Sequence, residues 1–161
     1  MDKQYRYFKS PIGTIELIAN NQALLTVHFV DDSIHEIRRN DNSPILEQAY
    51  NQLSEYFSSQ RVRFDVPIDL SSGTDFQQKV WKVVADIPLG KTITYTKLAQ
   101  KLGSEKLVRA VGTANGKNPY LLIIPCHRII GSGNKLIGYA GGLWRKQWLL
   151  EHEIKENKLI F

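Results

Sequence analysis

The sequence predicts an α/β N-terminal domain, a small antiparallel sheet with a helix over residues 1–72, followed by a mainly helical C-terminal domain of winged helix-turn-helix type over residues 73–161. Three observations predict it. Strand-like runs alternating with turn residues fill the first 29 positions, helical apolar spacing with capping residues takes over from Thr74, and the charge changes sign between the halves. Residues 1–73 hold seven Lys/Arg against ten Asp/Glu, a net −3; residues 74–161 hold fourteen against six, a net +8. A basic half suits a polyanion, most simply nucleic acid, although charge alone also fits a solvated surface.

A chain of 161 residues buries a proper core without disulfides or metal. Its one cysteine excludes an internal disulfide and suits a reducing cytoplasm, which is the expected location. Met1 to Arg6 has no apolar signal core, and no run approaches the roughly 18 apolar residues of a membrane span.

Tyr5 to Phe8, Thr14 to Ala19 and Ala23 to Phe29 read as strands of a meander, punctuated by Ser10-Pro11-Ile12-Gly13 and Asn20-Asn21-Gln22. Residues 31–43 are polar and ambiguous, compatible with a short helix. Ser43-Pro44 then starts a helix, cap followed by proline at the first position, with Ile45, Leu46, Ala49, Tyr50, Leu53, Tyr56 and Phe57 on one face. Val62, Phe64, Val66, Ile68 and Leu70 alternate, predicting a strand over 61–70 despite Pro67. Ser71-Ser72-Gly73 reads as a linker.

Thr74 caps the next helix, whose apolar face is Phe76, Val80, Val83, Val84 and Ile87 and which Pro88-Leu89-Gly90 stops. Thr94 to Leu102 forms a short helix closed by Gly103, and Ser104 caps a second through Ala114. Leu98, Ala99, Leu102, Val108 and Val111 are left to pack between them, which is a helix-turn-helix pattern. Gly131-Ser132-Gly133-Asn134 is a turn, Leu136 to Tyr139 extended, and a final helix from Leu143 to Glu153 or beyond buries Leu143, Trp144, Trp148, Leu149 and Leu150.

The chemistry centres on Leu121-Leu122-Ile123-Ile124-Pro125-Cys126-His127-Arg128-Ile129-Ile130. Four aliphatic residues and a proline predict that the thiol sits where a buried strand meets an irregular turn. His127 and Arg128 are potential cations, and neighbouring positive charge lowers a cysteine pKa and raises its thiolate fraction. The same residues fit a small buried hydrophobe. They also fit a DNA-binding module with a structural Cys126, or a cysteine hydrolase using Cys126, His127 and an acidic partner.

Several ordered motifs together carry a resemblance. Arg109-Ala110-Val111-Gly112, Asn118-Pro119, Pro125-Cys126-His127-Arg128, Tyr139-Ala140-Gly141-Gly142 before Lys146, and Trp148-Leu149-Leu150-Glu151-His152-Glu153 resemble the methylated-DNA–protein-cysteine methyltransferases, also called O6-alkylguanine-DNA alkyltransferases. The resemblance is close over about residues 74–153 and weaker over 1–72. It implies direct repair: an alkyl group on guanine O6, or thymine O4, in double-stranded DNA passes irreversibly to the sulfur. It also implies a monomer without cofactor.

The resemblance further implies roles for single residues. Cys126 is the acceptor, His127 the base acting through a water, and Glu153 the group that orients His127. Tyr95 donates toward the base and helps rotate the nucleotide, Arg109 fills the gap left by the extruded base, and Asn118 is the hinge between recognition helix and active site. The carbonyls of Cys126 and Ile129 and the N–H of Ala140 read the base, Tyr139 precedes Ala140 in the matched motif, and Lys146 lies near the pocket. Some relatives bind zinc through N-terminal Cys and His; the absence of cysteine there predicts no metal. Ala140 stands where some members have Ser, and Leu121 where some have Pro, changes that bear on substrate range.

Overall fold

Turn chemistry sets the first unit. Gly13 takes φ 120°, a conformation that favours glycine, and Ser10 Oγ bonds the Gly13 carbonyl at 2.6 Å, so the chain reverses where the sequence places a turn. Asn20 Oδ1 accepts from the N–H groups of Gln22 and Ala23 and closes the next reversal. The result is an antiparallel meander of β1 (Gln4–Ser10), β2 (Gly13–Ala19) and β3 (Leu24–Val30), with Phe8 opposite Ile15 and Ile15 opposite Phe29. The structure, a computed structural model, describes residues 2–31 and 40–160, with side chains through 155; the possible helix within 31–43 lies largely outside the described residues.

Helix α1 (Pro44–Phe57) begins as its cap predicts, with Ser43 Oγ accepting from Leu46 N. It buries Leu46, Ala49, Leu53 and Tyr56, and Tyr50 and Phe57 flank the Phe8 ring at centroid distances of 5.1 and 5.7 Å. The alternating run 61–70 is not a strand. Only Ile68 bridges, parallel to Leu24, because Pro67 has no N–H to give and the Asp65 backbone N–H goes to Gln52 Oε1 instead of a ladder. Val62 is accordingly 46% exposed.

The chain divides into two compact units between Asp69 and Leu70. Asp69 N still bonds Leu24 O, whereas the Gly73 N–H bonds Leu70 O and opens the second unit. Helix α2 (Asp75–Ala85) carries a full capping box between Thr74 and Gln77, and Trp81 Nε1 donates to Ala114 O at 2.8 Å. The two-residue strands β4 (Ile93–Thr94) and β5 (Ile129–Ile130) pair in parallel. Helix α3 (Tyr95–Lys101) follows, then a 3₁₀ turn Glu105–Leu107, α4 (Val108–Gly116), and finally α5 (Leu143–Ile160). No described helix is long and apolar enough to cross a membrane.

Three expectations are corrected here. The second helix of the pair starts as 3₁₀, and Val108 is 37% exposed, so Leu98, Ala99 and Val111 make the buried contact. The aliphatic run before Pro125 is a coil of tight turns, not a strand: Leu122 adopts φ 74°, and Ile124 N bonds back to Tyr120 O. Leu143 and Trp144 are exposed, and the fully buried positions of α5 are Lys146, Leu149 and Glu153, spaced three and four apart on one face.

Asn118 explains the turns. Its Nδ2 donates to the carbonyls of Tyr120 and Ile124, and its Oδ1 accepts from Tyr120 N, so one buried amide takes the place of a neighbouring strand. Asn118→Ala takes the Asn118 partner from the Ile124 carbonyl and the Tyr120 N–H, while Tyr120 O keeps Ile124 N, and is expected to lower the unfolding free energy by about 2–3 kcal/mol, read from the denaturant midpoint. A loss below about 0.5 kcal/mol, the usual scatter of surface changes, would show that the loop stands without it.

Candidate active site

The loop that Asn118 holds delivers Cys126 into a 3₁₀ turn, Cys126–Arg128, whose three side chains are all buried. The Cys126 N–H bonds Ile124 O at 2.7 Å, and the Cys126 carbonyl accepts from Ile129 N and from Asn115 Nδ2. Successive residues of a 3₁₀ turn point about 120° apart, so His127 and Arg128 face away from the sulfur and toward α5.

There they meet Glu153. His127 Nε2 lies 2.6 Å from Glu153 Oε2, Arg128 Nε donates to Oε1 at 2.8 Å and Nη2 to Oε2 at 3.1 Å. Arg128 Nη1 donates to Ile87 O beyond the end of α2 at 2.6 Å. Burial opposes ionisation of Glu153, but the charge and hydrogen bond of His127 and the fork of Arg128 outweigh it and hold the carboxyl far below its ordinary range.

The expectation that His127 and Arg128 activate the thiolate is therefore corrected. The Arg128 guanidinium and the His127 ring are directed at Glu153, and burial pushes the Cys126 thiol up to about 11, against the weaker opposing effects of Asn118 and of the Lys146 charge. The resting sulfur is a neutral thiol. His127 keeps Nδ1 buried and without a hydrogen-bond partner among the described residues, one residue along the turn from that thiol.

The sulfur opens onto a cavity of about 100 Å³ lined by Tyr95, Gly112, Asn115, Gly116, Cys126, Gly138, Tyr139 and Ala140. Three of the eight are glycines, which leave the space that side chains would fill. The Tyr95 hydroxyl donates to Ile137 O at 2.9 Å, and Lys146 Nζ donates to the carbonyls of Ile137 and Gly138. Leu136 to Tyr139, expected as extended, thus forms no ladder and is held as a cavity wall by these two side chains. Burial pulls the Lys146 ammonium down to about 8, and burial and then the Cys126 charge raise the Tyr95 phenol. Tyr139 lies edge-on to His127 with a centroid distance of 6.3 Å, and its hydroxyl is buried without a partner among the described residues.

Of the residues singled out from the sequence, Cys126, Tyr95, Tyr139 and Ala140 line the cavity, and Lys146 braces its wall. His127 and Glu153 meet behind the sulfur, and Asn118 lies beneath the loop. Arg109 is exposed on α4, three residues before Gly112 and hence on the face that continues to the cavity. Ile129 is fully buried in β5 and does not line the cavity. Asn115 was missed, though its spacing of three from Gly112 on one helix face is legible; the pairing of Arg128 with Glu153, 25 residues away, leaves no local signal.

The family model described as 6-O-methylguanine DNA methyltransferase, DNA binding domain, matches residues 75–155, and that described as 6-O-methylguanine DNA methyltransferase, ribonuclease-like domain, matches residues 3–70. The methylated-DNA–protein-cysteine methyltransferase of Mycobacterium tuberculosis is 43% identical over 152 residues, covering 92% of this chain and 91% of its own. The protein of that name from Methanosarcina barkeri is 42% identical, covering 96% of this chain and 98% of its own. The crystal structure of Mycobacterium tuberculosis OGT in complex with DNA superposes with a TM-score of 0.85 at 40% identity, covering 95% of this chain and 94% of that one.

The Glu153 network makes stability depend on acid. The folded carboxyl stays ionised below 4.5, its ordinary value, whereas in the unfolded chain it protonates near there. As pH falls through that region the unfolded state takes up a proton that the native state refuses, so stability present above about 4.5 is lost below it. Denaturation midpoints of the native chain should therefore fall more steeply between about pH 5 and 3 than those of Glu153→Gln. Parallel profiles would contradict the pairing.

Proposed function

The chain belongs to the O6-methylguanine DNA methyltransferase family, and from that premise we propose that it repairs DNA directly, by irreversible single-turnover transfer of a methyl or other alkyl group from guanine O6, or thymine O4, to Cys126. The observation that carries the reading is a lone thiol at the floor of a base-sized cavity, on the basic half of the chain, with a buried His–Glu–Arg network behind it. A sulfur held so deep cannot reach an O6 atom inside a stacked duplex, so the damaged nucleotide must be turned out of the helix. Arg109, exposed on the cavity face of α4, is the side chain that takes its place. The net +8 of residues 74–161 supports backbone contacts with little preference for sequence.

The chemistry follows from the protonation states. The thiol proton passes through a bridging water to His127 Nδ1, and Glu153, held anionic by Arg128, stabilises the imidazolium that forms. The sulfur lone pair forms an S–C bond with the alkyl carbon, the C–O6 bond breaks, and its electron pair remains on the purine. Tyr95, whose raised pKa keeps its proton, leaves Ile137 O and donates toward the departing anion. The Ala140 N–H and the Tyr139 ring, both at the cavity, complete the recognition of the base, and Lys146 keeps the wall in place.

The product is a thioether, and no group beside Cys126 is suited to cleave it, so each molecule acts once. The transfer step balances with the thiol, a base and the alkylated nucleotide alone, and the chain is proposed to carry it out as a monomer. A reducing compartment such as the cytoplasm keeps the single thiol available.

Incubation with excess duplex bearing O6-methylguanine should add one methyl per chain, on the peptide containing Cys126, by mass spectrometry. Cys126→Ser should abolish transfer and retain binding, and Arg109→Ala should slow transfer from duplex more than from free base. No adduct, or repeated turnover of an ester or amide, would replace this reading by a DNA-binding module or a hydrolase respectively.

A further inference from the structure

Trp144 has no part in the chemistry just described. Of the three tryptophans, Trp81 is 2% exposed and donates its Nε1 proton to Ala114 O, and Trp148 stacks on His152 with a centroid distance of 4.8 Å. Trp144, in the first turn of α5 and four residues past Ala140 in the cavity wall, is instead 58% exposed. Leu143 next to it and Ile137 at the start of the same wall are exposed as well. Apolar side chains left in water at the edge of a cavity mark a place where something outside the chain binds.

The indole is held in place. Gly142, at φ 94°, turns the chain into α5, and the indole Cδ1 and Nε1 lie 3.4 and 3.5 Å from the point that a Cβ there would occupy. Arg145 covers one face of the ring, its guanidinium carbon 4.7 Å from the centroid, while its Nη1 donates to Gly141 O at 2.9 Å. With the pyrrole edge on Gly142 and one face under Arg145, the exposed surface is the opposite face and the benzo edge. Burial raises the Tyr139 phenol well above its ordinary value and the Arg145 charge opposes that rise, so the cation acts within reach of the cavity wall. A fixed aromatic face with a cation behind it is an arrangement on which a nucleobase stacks.

We propose that Trp144, backed by Arg145, is a second nucleobase subsite outside the cavity, on which the base next to the lesion stacks when the DNA is single-stranded. The proposal rests on the alkyl-transfer reading above and adds a substrate class to it. Helices α3 and α4 form one side of the cavity and Gly138 to Ala140 the other, so a strand whose damaged base has entered crosses both rims. Arg109 stands on the α4 side, and Trp144 lies beyond the opposite wall. In a duplex the neighbouring base keeps its pairing partner and is capped by Arg109. A single strand offers neither restraint, and its neighbouring base is free to splay onto the indole. Every base has a π face, so this contact selects no sequence.

The test compares second-order rate constants for methyl transfer from single-stranded oligonucleotides in which O6-methylguanine is flanked by ordinary nucleotides or, on both sides, by abasic residues. In free strands the abasic flanks remove the stacking that holds the lesion in line, so by themselves they speed transfer. The native chain should instead be slowed by them at least about fivefold, because the stack on Trp144 is lost. In Trp144→Ala the two strands should react within about twofold of each other, while Trp144→Phe, which keeps a ring, should retain a larger difference. A ratio taken within one protein does not depend on how much of that protein is active. Native rates that do not fall with abasic flanks overturn the proposal, and so does a fivefold fall that persists in Trp144→Ala. Transfer from duplex but not from any single strand overturns it too, whereas no transfer from either would remove the alkyl-transfer reading on which it stands.

Discussion

A single buried carboxylate holds the catalytic unit together. Glu153, on α5, receives His127 and Arg128 from the turn that carries the thiol, and Arg128 extends the connection to the chain beyond α2. Three segments distant in sequence are thereby bound at one point. Charges withdrawn from water are costly unless each finds its partners, and removing one member of such a cluster typically costs about 3–5 kcal/mol. The same cost penalises any arrangement that leaves one of the three without its partners.

The cluster also divides the electrostatic work. Positive charge next to a cysteine usually implies an activated thiolate, but here the guanidinium and imidazole face the carboxylate while the sulfur stays in an apolar setting that disfavours its ionised form. A neutral thiol resists adventitious alkylation and oxidation, because the thiolate is the reactive species. Reactivity is then generated only when a bound base excludes solvent and the proton has somewhere to go. For a chain that can react once, restraint in the absence of substrate is as important as reactivity in its presence.

Much of the fold was legible where local rules suffice. The hydroxyls of Ser43, Thr74 and Ser104 each accept from a backbone N–H of the turn they were expected to cap, and the meander follows from alternation and turn residues. Long-range satisfaction of polar groups was not legible. Residues 61–70 and 121–124 have strand composition, yet Gln52 and Asn118 take over the bonds that a neighbouring strand would provide. Lys146 and Glu153 are charged, so no hydrophobic pattern marks them as the buried side of α5. Cys126 stood out as the lone cysteine, and the resemblance supplied its pairing with His127 and Glu153.

The central claim, that the resting sulfur is a neutral thiol held beside a preassembled His–Glu–Arg network, is tested most directly by titrating the ultraviolet absorbance of thiolate in the native chain against Cys126→Ser. The account predicts a difference signal that is absent at neutral pH and rises with a midpoint near 11. A difference signal already complete below about pH 8, the sign of a cysteine activated by nearby cations, would contradict it.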